Sequence, residues 1–132
     1  MSRTDHRPTL TSVAPQFLVQ DLDAACDFYR DQLGFEIAFR YGEPAFYAGV
    51  ARDAVSLHLK QTDEPEPGRR FKLQGEHLDV YIQTRNIEAL HDEYAARGVA
   101  LLKPLQSTPW GTREFALQDP DGYILYFGQP AA

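Results

Sequence analysis

Two stretches of the chain carry apolar residues at helical spacing. In 21–35, DLDAACDFYRDQLGF, the residues Leu22, Ala25, Cys26, Tyr29 and Leu33 recur every three or four positions and form one stripe. In 86–100, NIEALHDEYAARGVA, the residues Ile87, Leu90 and Tyr94 repeat that stripe 65 positions later. Each stretch opens on a residue whose side chain can accept from a free helix-terminal N–H, Asp21 or Asn86. Each is followed by a glycine of the kind that stops helices, Gly34 or Gly98. Elsewhere short apolar runs and alternating patterns predict strands over 12–19, 35–40, 45–51 and 54–60. In the second half they predict strands over 77–83, 101–105, 112–117 and 124–128.

Each half therefore reads strand, helix, strand, strand, strand. An offset of 65 in a chain of 132 residues predicts a tandem duplication. The expected fold class is α+β: two βαβββ modules with helices on one sheet face and a concave face on the other. Residues 1–10 read as a polar, flexible tail and 11–129 as a single domain. Within it, module one spans 11–60, a linker rich in proline, glycine and charge spans 61–75, and module two spans 76–129.

Composition narrows the partners. A formal net charge of −6 excludes a general nucleic-acid binder, because phosphate backbones select basic surfaces. No apolar run approaches the roughly 18 residues of a membrane span. The N-terminus also lacks the apolar core of a secretion signal. With one cysteine, Cys26, no internal disulfide can form. A cytoplasmic protein without membrane or nucleic-acid partners is expected.

The segments VQDLDAACDFYRDQLGF and DPDGYILYF resemble the first strand–helix unit and the last hairpin of the vicinal-oxygen-chelate superfamily. That superfamily comprises glyoxalases, extradiol dioxygenases and bleomycin resistance proteins. The combination of SVAP, FYAGVARDAVSLHL and PWGTREFALQDPDG is most similar to the bleomycin resistance proteins. The resemblance implies a small acidic homodimer that sequesters a glycopeptide or other planar aromatic antibiotic in grooves at the dimer interface. It also implies that strand exchange by the N-terminal segment would hinge at Pro15. PWGTREF has one residue more than the PWGREF of the pattern, which leaves the ligand open.

Enzymes of the superfamily hold a divalent ion on four inner strands, and the resemblance places those positions at Ala14, Ser56, Asp79 and Tyr126. Only Asp79 is a good ligand, so neither a metal cofactor nor a catalytic residue is expected. Strand alternation puts Ser56, His58 and Lys60 on one concave face and His77, Asp79 and Tyr81 on the other. A displaced metal site of His58, His77 and Asp79, serving a lyase, isomerase or dioxygenase, is the alternative reading. For the binding reading, the resemblance supplies three aromatic walls: Phe39, Tyr47 and Trp110. Trp110 lies on a turn between Pro109 and Gly111, where the glycine would let backbone approach a ligand. The full candidate set is Phe39, Tyr47, Ser56, His58, Lys60, His77, Asp79, Trp110, Gly111 and Tyr126. Lys60 and Arg40 are expected to bring positive charge near the groove.

Overall fold

The structure is a computed structural model and describes residues 7–63 and 77–131. Most of the expected linker and tail thus lies outside the described residues. All eight strands expected from the pattern are present: β1 (Gln16–Val19), β2 (Glu36–Gly42), β3 (Ala45–Arg52), β4 (Val55–Gln61), β5 (Val80–Gln83), β6 (Leu101–Ser107), β7 (Thr112–Gln118) and β8 (Ile124–Pro130). They form two four-stranded sheets of the same order, β1-β4-β3-β2 and β5-β8-β7-β6. In each, the first strand runs parallel to the last and the other pairs are antiparallel. The α+β class and the two βαβββ units stand.

Two strands are shaped by proline. β1 starts at Gln16 rather than at residue 12; Pro15 contributes only its carbonyl, to the His58 N–H at 2.9 Å. Pro104 sits inside β6, and the β6–β7 register slips between Lys103 and Gln106 around it.

Helix α1 (Leu22–Asp27) widens into a π-helical turn, Phe28–Gln32, closed by Leu33 N–H to the Phe28 carbonyl at 3.3 Å. Its stripe is the core: Leu22, Ala25, Cys26, Tyr29 and Leu33 are all 2% exposed or less. Asp21 caps it as expected, Oδ1 accepting from Ala24 N–H at 3.0 Å. Asn86 does not cap α2 (Ile87–Ala96). It is in the left-handed region at φ +57° and its side chain makes no capping bond. Instead Gln129, at the end of β8, accepts from Ile87 N–H at 2.9 Å. Gln61, at the end of β4, does the same for Leu22 N–H at 2.8 Å. A strand-end glutamine thus serves each helix start, satisfying a donor that the helix cannot satisfy itself.

The helix-bearing faces of both sheets share one core, which includes Leu57 and Leu59 of β4 and Phe115, Leu125 and Phe127 of the second module. The modules are also tied by polar groups. Tyr29 Oη donates to Asp119 Oδ2 at 2.7 Å, and Tyr94 Oη to the Leu33 carbonyl at 2.9 Å. Arg52 forks onto Glu93 at 2.8 and 3.0 Å, and Phe17 stacks on Tyr123 at 4.2 Å. No helix among the described residues is long and apolar enough to cross a membrane.

Candidate functional site

Packing the helices between the sheets turns the other sheet faces outward, and the aromatic residues lie there. On the first sheet, Phe39 and Tyr47 are stacked at 6.2 Å with 13° between their planes. His58 meets both rings edge-on at 5.4 and 5.5 Å. The Tyr47 hydroxyl lies 2.9 Å from His58 Nδ1 and accepts from Gln16 Nε2 at 3.0 Å. Glycine makes the floor. Gly49 lies opposite both Phe39 and His58 in the ladder, and a Cβ there would fall 2.2 Å from the Phe39 ring. The ring therefore lies flat across the strand while remaining 42% exposed.

The second sheet carries a parallel arrangement with different chemistry. Tyr81 leans across Gly128, where a Cβ would fall 1.8 Å from its hydroxyl, and donates to Glu114 Oε2 at 2.7 Å. Thr112 Oγ1 donates to the same oxygen at 2.9 Å, and Trp110 Nε1 makes a long contact to it at 3.5 Å. Burial, and then the bond to Glu114, push the Tyr81 phenol up to about 12. Trp110 projects from the β6–β7 turn and is 71% exposed. That turn is closed by Thr108 N–H to the Thr112 carbonyl at 2.8 Å, with Gly111 at φ +88°. Next to it, Lys103 Nζ lies 5.6 Å from the centre of the Tyr126 ring.

The structure brings some expected residues together and separates others. Phe39, Tyr47 and His58 form one cluster, with Lys60 exposed opposite Tyr47 and Ser56 half-buried. Trp110 and Gly111 belong to the other sheet, and among the described residues no ring contact joins Trp110 to Phe39 or Tyr47. His77 is exposed at the edge of the described segment. Asp79 is drawn off by the backbone, its Oδ2 accepting from Ile124 N–H at 2.9 Å. The β5–β8 register sets Tyr81, not Asp79, beside Tyr126. Arg40 is also removed from the groove, because it lies opposite Ala48 on the helix side and pairs with Asp23 at 2.7 Å.

The four positions at which a relative would hold a divalent ion do not fit one here: Ala14 has no donor, and Asp79 is committed to a strand amide. The displaced set of His58, His77 and Asp79 does not assemble either. Among the described residues, no group of three or more His, Cys, Asp or Glu could hold a metal ion. A cavity of about 540 Å³ runs along the seam between the modules, lined by Phe35, Ile82, Asn86 and Phe127. Arg52 and Glu93 on its wall satisfy each other, with Asp53, Gln83, Thr84 and Arg85 also lining it, and it contains neither aromatic cluster. The outward faces carry the half-exposed rings on glycine floors. Tyr81 lies on the face that alternation predicts, whereas Glu114, Gln16, Gly49 and Gly128 are not singled out by the sequence, although alternation along TREFAL already sets Thr112, Glu114 and Ala116 on one face.

Residues 10–127 match the Glyoxalase/Bleomycin resistance protein/Dioxygenase superfamily. The chain belongs to this superfamily. Within it, the structure is similar to the bleomycin-binding protein from bleomycin-producing Streptomyces verticillus complexed with copper(II)-bleomycin: 27% identity, TM-score 0.70, covering 96% of this chain and 99% of that one. It is also similar to TnmS3, an antibiotic binding protein from Streptomyces sp. CB03234, at 28% identity and TM-score 0.67, covering 94% and 100%. The bleomycin resistance determinant encoded on the transposon Tn5 shares the fold at TM-score 0.75 and 19% identity, covering 93% and 100%. No curated protein matches the chain in sequence. The doubled βαβββ architecture is thus that of the Glyoxalase/Bleomycin resistance protein/Dioxygenase superfamily over nearly the full length.

Proposed function

We propose that this protein sequesters a planar aromatic antibiotic, bleomycin-type compounds among them, by stacking and without a metal ion. The observation that carries this reading is the Phe39–Tyr47 pair, parallel within 13° and half-exposed over the Gly49 floor. Flat apolar faces held open to solvent lose little conformational entropy when a planar guest covers them. Each aromatic pair contributes roughly 0.5–1.5 kcal/mol beyond area burial. Two members of the superfamily above 25% identity are themselves antibiotic-binding proteins, which supports the same class of ligand here.

Because Phe39 and Tyr47 stand on one sheet and Trp110 on the other, a slot walled by all three takes its opposite wall from a second copy. The reading therefore includes a two-fold dimer with two equivalent grooves. Ser56, His58 and Lys60 line one wall, and Trp110, Gly111 and Tyr126 the other. His77 and Asp79 lie at the groove's edge. The protein acts in the cytoplasm as a binder, with no catalytic step.

Titration with bleomycin, followed by the emission of Trp110 and by sedimentation of the protein, tests this. Saturable quenching with one ligand per chain in a dimer is expected. Emission that stays unchanged to high micromolar ligand overturns the proposal. An enzyme reading gains nothing from the site, since the donors it would need are dispersed or engaged.

A further inference from the structure

Glu114 is 8% exposed, yet among the described residues no cation pairs with it. Its three contacts come from a phenol, an alcohol and an indole N–H, and all converge on Oε2. Among the described residues Oε1 receives no donor, and alternation with the core residue Phe115 sets the Glu114 side chain on the outward face, opposite Gly128. A carboxylate removed from water is costly unless a charge or further donors complete its shell. Lys103 does not do so: it lies opposite Ala116 in the ladder, two positions away, with its ammonium over the Tyr126 ring. That contact shows that this face seats a cation on an aromatic ring. Arg40 is turned to the helix side by Asp23, and the chain as a whole carries a net charge of −6, which favours approach of cations.

We propose that Glu114 sets the charge selectivity of the groove: Oε1 receives a protonated amine, amidine or guanidine carried on a planar aromatic guest whose rings lie against Trp110 and Tyr81. The assignment rests on the binding function above and adds to it the class of ligand. The geometry is that of an aromatic wall with a carboxylate at its base. Stacking holds the rings, the charge-assisted bond holds the head group, and the donors on Oε2 keep the carboxylate from turning away.

A matched pair of probes separates the two ideas. 9-Aminoacridine is protonated at neutral pH, whereas acridone has a similar flat shape and is neutral. Fluorescence polarisation of each with the full-length protein is expected to show 9-aminoacridine binding about tenfold tighter or more, the worth of one hydrogen bond to a charged group. E114Q keeps an acceptor of the same size for Tyr81 and Thr112 but removes the charge, and the affinity ratio is expected to fall towards one. Y81F keeps the charge but removes one donor on Oε2, so with Thr112 still bonded there the ratio is expected to stay well above that of E114Q. Equal binding of the two probes by the unaltered protein, measurable without any variant, overturns the assignment while leaving the stacking slot in place. A ratio that survives E114Q overturns it too and makes Glu114 only a support for Tyr81 and Trp110. If neither probe binds, the sequestering function fails and the assignment falls with it.

Discussion

The Tyr29 hydroxyl donates to Asp119 across 90 residues of chain, at 2.7 Å, with both groups buried. Asp119 belongs to the DPDG turn between β7 and β8, and Tyr29 to the helical segment of module one, so the bond fastens one half of the duplication to the other. The same turn also reaches β1 and the residue that follows it: the Tyr123 hydroxyl accepts from Leu18 N–H at 2.7 Å and Asp121 from Gln20 N–H at 3.0 Å. Removing the phenol by Y29F leaves the ring in place and strips a donor from a buried carboxylate. A loss of about 1–3 kcal/mol is expected, read as a lower urea midpoint at unchanged slope.

Asp119 also makes stability depend on pH. Burial raises its carboxyl from 3.8 to about 6, and the bonds from Tyr29 and Tyr123 only partly oppose this. The folded chain therefore holds the proton more tightly than the unfolded chain. The resulting stability is complete below about pH 4, falls as pH rises through 6, and levels off above, a change of about 3 kcal/mol. Unfolding free energies measured from pH 4 to 7 should decline in the unaltered protein, and the decline should flatten in D119N. An equal slope in both proteins counts against this account.

Gly128 is expected to be intolerant of a side chain for a local reason. G128A places a Cβ against the Tyr81 hydroxyl, so Tyr81 must swing off Glu114. Because the far end of one side chain moves and not the backbone, the cost is modest, about 1 kcal/mol. The diagnostic change is in titration: the Tyr81 phenol, held up to about 12 by burial and Glu114, should move back towards an ordinary tyrosine value. Ultraviolet difference spectra of G128A against the parent, with Y81F as the blank, report it.

Trp110 and Phe39 separate binding from stability. Trp110 is 71% exposed and packs little of the core, so W110A should change the unfolding free energy by less than about 0.5 kcal/mol. It should weaken bleomycin about tenfold. F39A should weaken the ligand similarly. In G49A, the same loss should appear with the Phe39 ring still present, because the new methyl lifts it from the strand. Isothermal titration together with urea unfolding checks all three.

The helical stripes, the eight strands and the duplication are local patterns, and spacing alone predicts them. Asn86 looks like a cap in sequence, whereas in the structure Gln129 from a distant strand end takes the amide. Alternation sets Asp79 on the concave face, and the structure adds that its carboxylate also accepts from Ile124 N–H, a partner remote in the chain. The sequence puts Arg40 near the groove, whereas a β2 register shift between Ile37 and Phe39 helps put it on the helix side. Glu114 has no local signal, because an acidic residue in a strand ordinarily faces water; Tyr81 covers it from another strand, across a glycine. In each case the deciding neighbour is remote in the chain, and no single segment can announce it.

Placing both helices between the sheets has an evolutionary corollary. The side chains that make the chain fold and those that would meet a guest lie on opposite sides of the same strands, alternating residue by residue. If the proposed groove is the site, substitutions at Phe39, Tyr47, Trp110 or Glu114 retune what is recognised while Leu57, Leu59, Phe115 and Leu125 go on holding the scaffold. Under that reading the chain can drift from one guest to another without first passing through an unstable ancestor.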